Sequence, residues 1–126
     1  MDIESVRRFC HTLPATTEDI QWGDELLFRI GRKIFAMASL DAAASVRLSF
    51  KCTPEEFAEL TERLGIIPAP YVARYHWVAL EQWDALPAAE LKRRIQESYE
   101  LVRDKLPAKV RARILRRRVS GKRSIA

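Results

Sequence analysis

Residues 26–37 read LLFRIGRKIFAM, two apolar five-residue runs on either side of Gly31-Arg32. Both runs contain the β-branched and aromatic side chains that favour strands. A glycine at the first position of a two-residue loop is typical of a type II′ turn, which joins antiparallel strands. The stretch therefore predicts a β-hairpin in which Phe28 lies opposite Phe35.

A second strand pattern lies downstream, at 46–52, where the sequence reads VRLSFKC. Its apolar residues alternate with Arg47, Ser49 and Lys51. Such alternation is typical of a strand with one buried face. We expect Arg47 and Lys51 to give this strand a cationic outer face.

A capped helix follows directly. Thr53 can act as its N-cap, because a threonine hydroxyl accepts a hydrogen bond from the first helical turn. The apolar spacing predicts that Phe57, Leu60 and Leu64 form the buried stripe of this helix. Gly65 is then expected to end it.

The other elements complete one small domain. Apolar spacing predicts an amphipathic helix over 2–12 and a long helix that starts at Pro87. Strands are predicted over 16–22 and 74–80, and 66–70 is predicted to be an extended connection. Because the strands cluster and do not alternate with helices, we expect a two-layer α+β fold in the order α-β-β-β(β)-α-β-α. Its sheet would be antiparallel, with the helices packed on one face.

The net charge of +5 is unevenly distributed along the chain. Ten Lys and Arg residues against one acid give 103–126 a charge of +9, whereas 1–102 carry −4. We expect a single domain over 1–110 and a basic tail, partly helical or disordered, over 111–126. Such an asymmetry suggests contact with nucleic acid or another acidic surface, or else a solvated chain end.

The cysteines and the hydropathy of the chain indicate the cellular compartment that we expect for the protein. Cys10 and Cys52 have no C-x-x-C spacing, which argues against a disulfide framework or a zinc site and fits a reducing cytosol. The N-terminal residues lack the apolar segment of a signal peptide, and no stretch approaches the ~18 apolar residues of a membrane span. We expect a cytoplasmic monomer without membrane contact.

The sequence offers little catalytic chemistry. Neither G-x-G-x-x-G nor G-x-x-x-x-G-K, the two phosphate-loop patterns, occurs. His11 and His76 lie on separate predicted elements, and a structural role for His76 is favoured over that of a ligand or base. Trp77 is better explained by core or rim packing than by base stacking. We predict no catalytic activity, no metal and no cofactor.

Five segments share their order and spacing with one known family: 13–19 (LPATTED), 27–36 (LFRIGRKIFA), 47–52 (RLSFKC), 71–78 (YVARYHWV), and 98–102 (SYELV) followed by 105–107 (KLP). Together they resemble the MmcQ/YjbR family over residues 2 to about 110. The resemblance implies a two-layer α+β fold related to CyaY-like and secretion-chaperone-like folds. The family is described as having a double-wing arrangement and is often labelled DNA-binding.

Two hypotheses about function, from different classes, follow. The first is DNA binding by a cationic hairpin and strand face and by the basic tail, because Lys and Arg side chains neutralise phosphates. The second is a protein-interaction or chaperone-like module that takes a partner on the open face or edge of the sheet. An enzyme is a third alternative, which a pocket gathering His76, Arg74 and a carboxylate would favour. The candidate DNA-binding residues are Arg29, Arg32, Lys33, Arg47, Lys51, Arg74, His76, Trp77, Arg111, Arg113, Arg116, Arg117 and Arg118.

Overall fold

A computed structural model describes residues 1–115, which form six strands and four helices. The strands are β1 (Thr17–Gln21), β2 (Glu25–Ile30), β3 (Lys33–Ser39), β4 (Leu48–Lys51), β5 (Ile66–Pro68) and β6 (Trp77–Leu80). The helices are α1 (Ile3–Cys10), α2 (Pro54–Leu60), α3 (Ala88–Arg103) and α4, which covers 108–115. The sheet order is β1-β2-β3-β4-β6-β5, and every neighbouring pair is antiparallel. The predicted α+β class with an antiparallel sheet is therefore confirmed.

The main core lies between the sheet and the helices. Phe28, Phe35 and Phe50 of the sheet are fully buried, and they share one apolar cluster with Leu91 and Ile95 of α3. Each side chain of this kind contributes about 1.5–3 kcal/mol when it leaves water. The apolar residues that recur every 3.6 residues, and that predicted α3, form one stripe along the helix. This stripe packs on the sheet.

The opposite face of the sheet, which we call the open face, is only partly covered. Trp77 and Ala79 of β6 form a small second core there with Ala69, and Val72 packs against it. One row of residues crosses all six strands on this face, and it consists of Asp19, Leu27, Met37, Ser49, Ala79 and Ile67.

The hairpin of β2 and β3 differs from the sequence prediction in turn type and in register. Gly31 and Arg32 both have positive φ, 55° and 72°, so the turn is of type I′ and not type II′. A bulge between Phe28 and Arg29 shifts the pairing, so that Phe28 lies opposite Ala36 and not opposite Phe35. A bulge inserts one unpaired residue into a ladder, and the alternation of apolar residues does not reveal it.

Helix α2 is shorter than its apolar spacing suggests. Its N-cap is confirmed, because the Thr53 hydroxyl accepts a hydrogen bond from the backbone N–H of Glu56 at 3.2 Å. The helix ends at Leu60, however, and Leu64 is 97% exposed, so the prediction that Leu64 belongs to the buried stripe was wrong. The chain leaves the helical path at Thr61, and a side chain beyond that point no longer keeps the helical phase.

The segment predicted as an extended connection is an edge strand. Ile66–Pro68 form β5, which among the strands of residues 1–115 pairs only with β6. A proline is tolerated there because the outer side of an edge strand needs no ladder hydrogen bond. None of the helices within residues 1–115 is long and apolar enough to cross a membrane.

Candidate functional site

Three of the predicted DNA-binding cations, Arg29, Arg47 and Lys51, donate hydrogen bonds within the domain. The Arg29 guanidinium donates to the Asp19 carboxylate at 2.9 Å and to the Arg32 carbonyl at 2.9 Å. The first of these bonds, above all, lowers the pKa of Asp19. Arg29 therefore joins β1 to the hairpin turn, and its charge is neutralised by Asp19.

The side chains of Arg47 and Lys51 likewise donate hydrogen bonds to backbone carbonyls of loops. Arg47 donates to the carbonyl of Ala44 and, at 3.3 Å, to that of Asp41. The Lys51 ammonium donates to the Tyr75 carbonyl at 2.7 Å. Burial, followed by the charge of Lys105, lowers the pKa of Lys51. The strand face that carries these two residues is half-buried and less available to an anion than its sequence suggests.

The segment of Arg74, His76 and Trp77 does not form one site. The strand begins at Trp77 and not at residue 74, because Ala73–Tyr75 form a single 3₁₀ turn and His76 has a positive φ of 63°. Trp77 is 8% exposed, which confirms core packing. The His76 ring packs edge-on against Phe57, 5.7 Å between centroids, whereas exposed Arg74 lies over the Tyr75 ring at 4.8 Å.

Four exposed candidates, Arg32, Lys33, Arg111 and Arg113, lie on two segments that contact each other at α4. A Cβ atom placed on Gly31 would lie 2.7 Å from the Leu106 side chain and 3.0 Å from that of Val110, so the hairpin turn touches the start of α4 closely. Ile114, further along α4, is buried in the main core. The first residues of the predicted tail, 111–115, are therefore helical and packed on the domain in part. Arg116, Arg117 and Arg118 lie outside the described residues.

This contact brings together two segments that are distant in the sequence and that both carry cations. We call the resulting surface the cationic end; its members are all exposed, and they are Arg32, Lys33, Lys105, Lys109, Arg111 and Arg113. The neighbouring acid, Asp104, accepts a hydrogen bond from the Arg103 guanidinium at 3.0 Å and is thereby neutralised. Sequence reasoning missed Lys105 and Lys109 as site residues. The sequence did contain a signal for this contact. Leu106 and Val110 are four residues apart, and the hairpin turn contains a glycine, which another segment can approach closely.

A cavity of about 660 Å³ lies on the open face, away from the cationic end. Trp22, Glu25 and Tyr71 line it together with apolar residues of the sheet and of two loops. Of the predicted DNA-binding residues up to Arg113, it includes Arg47 alone. No sequence pattern indicated this cavity, because its walls come from segments that are adjacent only in the folded chain.

The carboxylates of α2 and α3 form a structural network. Arg94 is buried, and its guanidinium lies 2.7 Å from the Glu56 carboxylate and 3.2 Å from that of Glu90. Arg63 contacts the same Glu90 at 2.7 Å. These ion pairs fasten α2 and the loop after it to α3. Within 1–115, no group of three or more His, Cys, Asp or Glu side chains is arranged to hold a metal ion.

Taken together, the sheet order, the helices on one face and the partly covered second face define a two-layer α+β domain. Residues 11–101 match the family model described as YjbR, so the chain belongs to the YjbR family. The resemblance inferred from the sequence is therefore confirmed.

Solved structures agree with this fold. A Deinococcus radiodurans protein with a DUF419 domain is similar, with a TM-score of 0.80 and 26% identity over 90% of this chain and 87% of that one. A protein from Pseudomonas syringae is similar in fold, with a TM-score of 0.66 and 22% identity over 80% of this chain and 98% of that one. No curated protein matches the sequence.

Proposed function

We propose that this protein binds duplex DNA through the cationic end, without reading the base sequence. The observation that carries the proposal is the close contact of Gly31 with Leu106 and Val110. Through it, the hairpin turn with its two cations lies against the segment 105–113, which carries four more. Clustered Lys and Arg side chains bind DNA chiefly because they release the counterions condensed on phosphates.

The distribution of charge supports this assignment. Residues 1–115 contain as many acids as Lys and Arg residues, so their net charge is zero, and 116–126 add five more cations. An attraction of residues 1–115 for DNA must therefore come from local clustering. Arg32 and Lys33 stand at the tip of a hairpin, and a hairpin tip can follow a groove while its cations contact phosphates.

The test is a salt titration of binding to a fluorescent DNA duplex. With about six phosphate contacts, log K should fall against log salt with a slope near −5. The double variants Arg32→Gln/Lys33→Gln and Arg111→Gln/Arg113→Gln should each make that slope shallower by about 2, since each removes two contacts.

A matched control is provided by α3. Lys92 and Arg93 are exposed cations near its N-terminus, and Lys92 lies 13 residues, or about 20 Å, from Lys105 along the helical path. The variant Lys92→Gln/Arg93→Gln changes the charge by the same amount and should leave the slope unchanged. Equal effects of all three double variants would show that net charge alone is responsible and would contradict a defined surface.

A chain that ends at residue 115 separates the folded surface from the remaining cations. It should still bind, with a weaker affinity and a shallower slope. If removal of 116–126 abolished binding while the hairpin variants had no effect, the cationic end would not be the site. A slope shallower than about −2 for the full chain would exclude the electrostatic mechanism.

A further inference from the structure

The cavity on the open face is placed and sized for a small ligand. It lies where Glu25 pairs with Ser39, at the far end of β2 and β3 from the turn at Gly31. Its volume of about 660 Å³ falls in the range of small-molecule sites. Met37 and Val46 supply apolar lining from the sheet and the loop before β4.

Two exposed aromatic side chains line this cavity, Trp22 and Tyr71. Trp22 is 71% exposed and Tyr71 is 99% exposed, so neither gains much from burial. Both also have positive φ, 53° and 68°, a conformation that costs free energy for any residue with a side chain. Strained backbone is concentrated at ligand clamps and other functional sites. Trp22 has this conformation in the turn between β1 and β2, and Tyr71 has it in the loop after β5, so both turns present an exposed ring at the cavity.

The cavity also contains a carboxylate without a partner. Within 1–115, no side-chain hydrogen bond or ion pair joins Glu25 to another residue, and burial, followed by the charge of Asp24, raises its pKa. Arg47 lines the same cavity, but its guanidinium donates to the carbonyls of Asp41 and Ala44. These carbonyls are neutral, so Arg47 keeps its charge, but within 1–115 its guanidinium makes no ion pair with Glu25.

We propose that this cavity binds a small organic cation with an apolar body. The cationic group would lie between the rings of Trp22 and Tyr71 and beside the Glu25 carboxylate, while the body fills the apolar part. The faces of Trp and Tyr rings carry negative electrostatic potential and attract ammonium groups. An anion of the same shape would lie beside the Glu25 carboxylate, which repels it.

The test uses benzyltrimethylammonium as the cation and phenylacetate as an anion with the same ring. Binding is followed by NMR through the indole N–H signal of Trp22, which is assigned by its loss in Trp22→Phe. We expect saturable binding of the cation at millimolar concentration and no binding of phenylacetate. Tyr71→Ala and Glu25→Gln should each lower the affinity for the cation by about tenfold.

Matched variants outside the cavity serve as controls. Tyr75→Ala removes another exposed tyrosine, and Glu81→Gln changes a glutamate outside the cavity; both should leave the affinity unchanged. Glu25→Gln should also leave the midpoint of thermal unfolding equal or higher at neutral pH, because it removes a half-buried charge that no side chain within 1–115 pairs with.

Several results would overturn this assignment. They are the absence of saturable cation binding, equal affinity for phenylacetate, and an unchanged affinity in Glu25→Gln. A dimer in sedimentation equilibrium that Tyr71→Ala dissociates would show that a second copy of the chain covers the cavity instead. DNA binding should be unaffected by Glu25→Gln, so the two proposals fail independently of one another.

Discussion

Ser98→Ala should destabilise the domain strongly for so small a change. The fully buried hydroxyl donates to the Phe35 carbonyl at 2.7 Å and accepts from the Lys51 N–H at 2.9 Å. Lys51 would face Phe35 if the ladder of β3 and β4 continued beyond the pair of Ala36 and Phe50. Alanine leaves both backbone groups without this partner, and a buried unpaired group costs about 1–3 kcal/mol. We therefore expect a loss of about 2–4 kcal/mol in the free energy of unfolding.

The assay is urea unfolding followed by far-UV circular dichroism and tryptophan fluorescence. The midpoint should fall while the m-value stays the same, because the surface exposed on unfolding hardly changes. Ser45→Ala is the control: Ser45 is exposed, and its substitution should change stability by no more than about 0.5 kcal/mol. A loss below about 0.5 kcal/mol for Ser98→Ala would refute the idea that its hydroxyl bridges the gap between β3 and β4.

Two further predictions concern the helices and the thiols. Arg94→Ala should lower the free energy of unfolding, measured with urea at neutral pH, by about 3–5 kcal/mol, because it leaves the carboxylates of Glu56 and Glu90 without the buried guanidinium. An unchanged free energy of unfolding would contradict a structural network. Burial raises the pKa of Cys10 to about 12 and that of Cys52 to about 11. At pH 8 their thiolate fraction is then about a hundredfold or more below that of an ordinary cysteine, so iodoacetamide should label them only after unfolding. Reaction of either thiol in the folded protein at the rate of a free cysteine would contradict this.

The two proposed sites lie at opposite ends of the same strand. Glu25 begins β2 and Ile30 ends it, next to the turn with Arg32, and five steps along a strand span about 17 Å. Variants at the cationic end therefore serve as controls for the cavity, and variants of the cavity serve as controls for the cationic end. An effect of both sets on both ligands would indicate a general loss of folding.

Periodicity in the sequence was enough to predict the class of fold. The alternation at 46–52 and the spacing of Leu91, Ile95 and Ser98 each reflect how side chains leave a strand or a helix, which depends on neighbours a few residues away. The Thr53 cap is local in the same sense. Such patterns determine which elements form and which side of each is apolar, and from them the two-layer arrangement follows.

The register of the hairpin and the end of α2 could not be predicted in this way. The bulge opposite Phe28 adds a residue that the pattern of apolar side chains does not reveal, and a buried hydroxyl from α3, 63 residues away in sequence, bonds to the backbone there. Leu64 keeps helical spacing in the sequence, but the chain leaves the helix at Thr61. In both places, tertiary packing overrides a local preference.

The candidate sites show the same division between local and distant contacts. The sequence by itself established that positive charge is concentrated after residue 103, that the chain resembles one family, and that Trp22 and Tyr71 are present. Only the tertiary structure placed Gly31 against Leu106, which assembles the cationic end, and opened a cavity beside Glu25. The physical reason is that charge and periodicity are properties of neighbouring residues, whereas a surface or a cavity depends on how separate segments pack.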